Sequence, residues 1–123
     1  MDRRAKQGGY NQVMTYDDFV KFALELPETS EVVGKGGPGV NRADRGMLWL
    51  KKWELLCIHV DWDNHDRLME EHPSVIYKTP HFEGYPAVHA HLDLLTPELA
   101  KELVGIAWTV APEKIHYRRK PKS

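Results

Sequence analysis

The sequence predicts an α+β domain in which helices pack on one face of an antiparallel β-sheet, in the order α-β-β-β-β-α-β-β-α. Three observations support this prediction. A capped apolar helix lies near the end of the chain, residues 47–60 alternate with the two-residue period of strands, and turn-rich segments separate the elements. The apolar helix needs a partner to pack against, and the strands upstream supply a sheet.

The last helix is the clearest local prediction. Thr96 can cap its first turn, Pro97 occupies the first helical position, and Pro112 ends it. Its apolar positions recur at helical spacing and are Leu99, Leu103, Ile106, Ala107 and Val110.

Two further helices are predicted from the same signals. Thr15 and Asp18 resemble a capping box at the start of the first helix, which ends at Pro27. Its apolar face comprises Tyr16, Phe19, Phe22, Ala23 and Leu26. The second helix covers roughly residues 64–72, and its cap is one of two aspartates, Asp61 or Asp63.

Six strand segments are predicted, at residues 29–33, 40–43, 47–52, 55–60, 75–78 and 87–94. Alternation in the third and fourth places Leu48, Leu50, Leu56, Ile58 and Val60 on one face. The opposite face receives Met47, Trp49, Leu55, Cys57 and His59. Because both sets are apolar, we expect this strand pair to be covered on both sides. In the last strand we expect His89, His91 and Asp93 to share a polar, solvent-facing side with Ala87.

The 123 residues predict a single domain. We expect residues 1–13 to form a flexible leader, residues 14–114 the domain, and residues 115–123 a basic tail. The single cysteine, Cys57, cannot form an internal disulfide, and no apolar run resembles a signal peptide or a membrane span. These features predict a cytoplasmic monomer without a membrane partner, and they do not identify a protein partner.

Charge is unevenly distributed along the chain, although the formal net charge is only −1. Residues 35–52 carry five basic side chains and one acidic one, and residues 114–123 carry five basic side chains and no acid. Residues 61–71 carry five acids and one arginine. Particular basic faces could therefore attract phosphate. A solvated charged hairpin remains the alternative for residues 35–52.

No catalytic motif or metal-binding motif is recognisable. His89 and His91 could bind a metal with His59 or His81, but a polar strand face is the simpler interpretation. The run Gly34-Lys35-Gly36-Gly37 lacks the remaining elements of a nucleotide-binding loop and predicts a flexible hairpin tip. Cys57 and His59 have the residue types of a nucleophile and a base, yet Cys57 is better explained as a small buried hydrophobe. We therefore predict no catalytic residue, metal or cofactor.

Several stretches of the chain, from about Thr15 to Lys114, resemble the MmcQ/YjbR-like family of small bacterial proteins. The resemblance is carried by residues 24–27 (Leu-Glu-Leu-Pro), residues 34–50, residues 68–73, and the run Glu83-Gly84-Tyr85-Pro86 before His91-Leu92-Asp93. It also includes Ala107-Trp108, Ala111-Pro112 and Lys114. Most of these are packing and turn residues, which identify a fold better than an activity.

The resemblance implies a double-wing α+β domain similar to the DNA-binding domain of the phage transcription factor MotA, and it implies DNA binding without catalytic residues. The chain departs from the family pattern in two places. Gly39-Val40 stand where an aromatic residue commonly follows the early proline, and Ala87-Val88 stand where a tryptophan commonly opens the late strand.

Two functions follow as predictions. In the first, the protein binds DNA through basic β-hairpin wings, and the contacting residues are Lys35, Arg42, Arg45, Lys51, Lys52, Trp53, Arg118, Arg119 and Lys120. In the alternative, a groove between sheet and helices binds a protein or small ligand without catalysis. That groove would be lined by Trp49, His59, His89 and His91.

Overall fold

The computed structural model describes residues 13–52 and 55–118. Three helices and six strands follow the predicted order. The helices are α1 (Tyr16–Leu24), α2 (Trp62–Glu71) and α3 (Pro97–Val110). The strands are β1 (Thr29–Gly34), β2 (Gly37–Arg42), β3 (Arg45–Lys51), β4 (Leu55–His59), β5 (Ile76–Tyr77) and β6 (Ala87–Ala90).

The six strands form one antiparallel sheet in the order β1-β2-β3-β4-β6-β5. Strands β1 to β4 are a meander in which each strand pairs with the next. The α+β class and the predicted order of elements are therefore confirmed.

The predicted caps form the helix starts. Thr15 and Asp18 make a reciprocal capping box, and the Thr96 hydroxyl accepts the Leu99 amide at 3.1 Å. Asp61, rather than Asp63, caps α2. Helix α3 packs on β3 and β4 and against α1, and the large core lies between these helices and the sheet.

The opposite face of the sheet, called here the second face, carries a smaller apolar cluster. Phe82 packs there on Cys57 and Ala87, with Trp49, Leu55 and Tyr85 around them. Strands β3 and β4 are thus covered on both sides, as predicted. Met47 is an exception to the predicted alternation. It packs in the large core, because the pairing of β2 with β3 shifts between Val40 and Asn41 and leaves an extra residue in β3.

The predicted polar strand face at residues 87–94 is wrong. Strand β6 ends at Ala90, residues 92–94 form a short 3₁₀ turn, and all four residues of β6 are buried. The reason is that β6 pairs with β4 on one side and β5 on the other, while Phe82 covers its second face. His89 is consequently fully buried and His91 lies outside the strand.

Two hairpin tips meet at one end of the sheet. The Lys52 amide donates to the Gly36 carbonyl at 2.9 Å, which joins the β1–β2 tip to the chain that leaves β3. The β2–β3 turn lies at the other end of these strands, where Arg42 is paired with Arg45. Because β3 is 7 residues long, the two ends are separated by about 20 Å.

Candidate nucleic-acid interface

The end of the sheet where the two tips meet carries three lysines, called here the lysine end. Lys35 lies at the β1–β2 tip, Lys51 ends β3, and Lys52 follows it. Lys52 has a positive φ of 55°, a conformation in which its amide reaches Gly36. The next residue, the predicted aromatic contact Trp53, lies outside the described residues. Three cations from two turns are thus brought to one end.

A groove of about 520 Å³ opens beside the lysine end, on the second face of the sheet. This lysine groove is lined by Lys51, Lys52, Leu55, Tyr77, Thr79 and His81. The Lys51 ammonium lies 5.4 Å from the centre of the Phe82 ring, which forms part of the adjacent apolar cluster. The groove therefore combines cations, an aromatic ring, a hydroxyl and an aliphatic wall.

The wall of the groove at Thr79 is held in place by His89. The His89 Nδ1 lies 3.2 Å from the Leu56 carbonyl and its Nε2 lies 3.1 Å from the Thr79 hydroxyl. Burial lowers the pKa of His89 and keeps the ring neutral. Because a carbonyl can only accept a hydrogen bond, the Nδ1 nitrogen carries the proton. The Nε2 nitrogen then accepts a hydrogen bond from the Thr79 hydroxyl. Both ring nitrogens are thereby occupied, which leaves neither for a metal.

The other predicted groove residues make aromatic contacts on the second face of the sheet. His59 stacks on Tyr85 at 6.2 Å, Trp49 packs against Phe82 at 6.3 Å, and the exposed His91 stacks on Tyr77 at 4.3 Å. Trp49, His89 and His91 surround the apolar cluster and Tyr77. His59 also lines a small pocket of about 70 Å³ with Trp62 at the start of α2 and Val110 at the end of α3. The four predicted residues are therefore not brought together in one groove between the sheet and the helices.

Cys57 is fully buried in the same cluster. Burial raises the pKa of its thiol to about 11, so the thiolate that nucleophilic chemistry requires is not populated near neutral pH. The thiol lies 3.5 Å from the Leu55 carbonyl. Cys57 therefore packs as the small hydrophobe that the sequence predicts.

Arg42 is committed to contacts within the fold. Its guanidinium lies 3.6 Å above the Trp108 ring, donates to the Trp108 carbonyl at 3.0 Å, and pairs with Glu28 at 3.1 Å. Trp108 in turn donates its indole N–H to the Pro27 carbonyl at 2.8 Å. Arg45 is exposed and donates to the Glu113 carbonyl at 3.2 Å. The predicted basic hairpin is thus divided between two ends, and Arg42 links β2 to α3.

These contacts predict different costs for removing the two arginines. We expect Arg42→Gln to lower the free energy of unfolding by about 2 kcal/mol, because it removes a ring contact and charge-assisted hydrogen bonds. Arg45→Gln is the matched control and should change stability by less than about 0.5 kcal/mol. Urea unfolding of both variants measures the difference. Equal effects would contradict the structural role assigned to Arg42.

Residues 113–118, called here the C-terminal strap, run against α2 and the segment before β6. The Arg118 guanidinium makes two hydrogen bonds of 3.1 Å to Asp66 and lies 3.9 Å from the Trp62 ring. The Trp62 indole donates to the His116 carbonyl, and the Arg118 amide donates to the Gly84 carbonyl at 2.8 Å. The bonds from Arg118 hold the pKa of Asp66 below its usual value. Arg119 and Lys120 lie outside the described residues.

A polar network beside the strap was not predicted from the sequence. His65 Nδ1 lies 2.8 Å from Asp66, and its Nε2 lies 2.8 Å from the Lys78 ammonium, which also donates to the Tyr85 carbonyl at 2.7 Å. Burial lowers the pKa of both His65 and Lys78. Neutral His65 can donate to Asp66 and accept from Lys78 at once, so the network connects α2 to the chain after β5.

The buried histidines predict acid sensitivity. Burial lowers the pKa of His59, His65 and His89 in the folded protein, whereas the unfolded chain takes up these protons at pH about 6.5. Because the unfolded state then binds more protons, the free energy of unfolding should fall as pH drops through that value and towards the lowered pKa values. Thermal midpoints recorded across this range test the prediction. His65→Gln should make the decline shallower, and a flat wild-type profile would contradict the assignment.

Within residues 13–52 and 55–118, no group of three or more His, Cys, Asp or Glu side chains is arranged to hold a metal ion. No helix in this part of the chain is long and apolar enough to cross a membrane. Comparisons of the chain with protein-family models, curated proteins and solved structures give no match. Membership of the MmcQ/YjbR-like family therefore stays a prediction from the residues.

Proposed function

We propose that this protein binds nucleic acid at the lysine end, with the two hairpin tips placed against the phosphate backbone. The observation that carries the proposal is the hydrogen bond between Lys52 and Gly36, which brings Lys35 into the same end of the sheet as Lys51 and Lys52. The lysines at these two adjacent tips match the negative charge of the phosphate backbone, which supplies most of the affinity in nucleic-acid binding.

The proposed contact set differs from the one predicted from the sequence. Arg42 and Arg45 are at the opposite end of β2 and β3, and Arg42 is held by Glu28 and Trp108. Arg118 is paired with Asp66. The proposal therefore assigns phosphate contact to Lys35, Lys51 and Lys52 and gives Arg42 a structural role.

Fluorescence anisotropy with labelled single-stranded and duplex DNA, titrated from low to physiological salt, tests the proposal. Three phosphate contacts predict that the logarithm of the duplex binding constant falls against the logarithm of salt with a slope of roughly −3. No binding to either form at low salt, or binding that does not respond to salt, would overturn the proposal.

A further inference from the structure

The lysine groove has the chemistry of a site for one nucleotide. Lys51 and Lys52 supply positive charge for a phosphate, Tyr77 supplies an aromatic ring, and Leu55 supplies an apolar wall. Its volume of about 520 Å³ falls in the range of small-ligand pockets. We infer that the groove takes up one unpaired base together with its phosphate, so that the protein prefers single-stranded nucleic acid over duplex. This inference rests on the proposed function.

The aromatic side of the groove is ordered before any ligand arrives. Tyr77 stacks on His91 with ring centres 4.3 Å apart and planes inclined by 19°, and it also contacts the His89 ring at 5.2 Å. Burial raises the pKa of Tyr77, so its phenol is even farther from ionising at neutral pH than that of an ordinary tyrosine. His91 takes one face of the ring, so a base would pack on the surface that Tyr77 presents to the groove. A ring held in place in this way loses little side-chain freedom when a base packs against it.

The polar side of the groove presents an acceptor. The Thr79 hydroxyl donates a hydrogen bond to Nε2 of His89, and Nδ1 of His89 donates a hydrogen bond to the Leu56 carbonyl. The lone pairs of the Thr79 oxygen are therefore left to accept a hydrogen bond from the groove. The ring N–H and amino groups of nucleobases are donors of this kind. In a duplex these groups are occupied by pairing and stacking, whereas a single strand exposes them.

A nucleotide accounts for the combination of cations, aromatic ring and apolar wall in the lysine groove better than a simple anion does. Inorganic phosphate would use only Lys51 and Lys52, and it would leave the Tyr77 ring and the Leu55 wall without a role. The neighbouring tip lysine, Lys35, would then contact the phosphate of an adjacent nucleotide along the strand. The lysine groove thus provides the preference for single-stranded over duplex nucleic acid, and the lysine end provides affinity for both forms.

Substitution of Tyr77 tests the inference, with binding measured by anisotropy on a short single strand and on the duplex of the same sequence. We expect Tyr77→Leu to weaken single-strand binding by about tenfold and to leave duplex binding unchanged, because stacking is lost. Tyr77→Phe keeps the ring and should retain wild-type binding. Tyr117→Leu removes an exposed tyrosine from the C-terminal strap and should change neither affinity. Urea unfolding of each variant establishes that it is folded.

Competition distinguishes the possible sources of the ligand. A nucleoside monophosphate should displace the labelled strand only at far higher concentration than an unlabelled strand does, and inorganic phosphate should be weaker still. Equal potency of monophosphate and strand per nucleotide would assign the groove to free nucleotides, and equal potency of phosphate and monophosphate would show that no base is bound. Either result overturns the inference.

The two proposals fail in different ways. If the wild-type protein binds neither strand nor duplex, the proposed function fails. If it binds both equally well, or if Tyr77→Leu weakens both equally or neither, the lysine end still binds nucleic acid and only the nucleotide groove is refuted.

Discussion

Replacement of His89 by alanine is expected to lower the free energy of unfolding by about 3–5 kcal/mol. The side chain is fully buried between β4 and β5, and Phe82 packs edge-on against its ring at 4.6 Å. Truncation would leave a cavity beneath Phe82 and remove the partners of the Leu56 carbonyl and the Thr79 hydroxyl. Both losses occur in the interior, where the surrounding strands cannot easily relax.

His91→Ala provides the matched control for this substitution. His91 is two positions farther along the chain, is exposed, and contacts Tyr77 by stacking. We expect its replacement to change the free energy of unfolding by less than about 1 kcal/mol. Urea titrations of the two variants measure the contrast. If both variants lose the same stability, His89 is not the buried structural residue described here.

The second large effect is expected when the lysine end is reversed in charge. The variant Lys35→Glu/Lys51→Glu/Lys52→Glu removes three attractive charges and adds three repulsive ones. Each such interaction at close range amounts to about 1 kcal/mol in water, so affinity for single-stranded and duplex DNA at low salt should fall by at least about a hundredfold. The dependence of any remaining binding on salt should become shallow.

A control with the same net charge separates the site from the overall field of the protein. Lys21, Arg45 and Lys114 are exposed and lie away from the lysine end, on α1, at the β2–β3 turn and in the strap. Their simultaneous replacement by glutamate should weaken binding by less than about tenfold, through long-range repulsion that salt screens. Comparable losses in the two triple variants would show that binding depends on net charge alone.

The elements with local signals were predictable from the sequence. The caps at Thr15 and Thr96 and the proline at position 97 are set by neighbouring residues, and the structure places all three as predicted. The alternation from Leu48 to Ile58 was also enough to predict a strand pair covered on both faces, because both alternating sets are apolar. Local chemistry therefore determined the class and order of the elements.

The features that were missed depend on contacts between distant parts of the chain. His89 was expected on a solvent-facing strand because its sequence neighbours alternate, and nothing local shows that Phe82 folds over it. The division of the basic residues between two ends depends on the bond between Lys52 and Gly36. Likewise, no sequence spacing indicates that Arg118 pairs with Asp66, since these residues are 52 positions apart.

The most direct test of the central claim is an NMR titration of the isotope-labelled protein with a short single-stranded DNA. The account predicts that amide shifts concentrate in residues 34–37, at Lys51 and Lys52 and at Leu55, with a second set at residues 77–82 along the lysine groove. Amides of the β2–β3 turn and of the C-terminal strap should move little. Shifts centred on residues 42–46 or 113–118, with residues 34–37, Lys51, Lys52 and Leu55 unaffected, would contradict nucleic-acid binding at the lysine end.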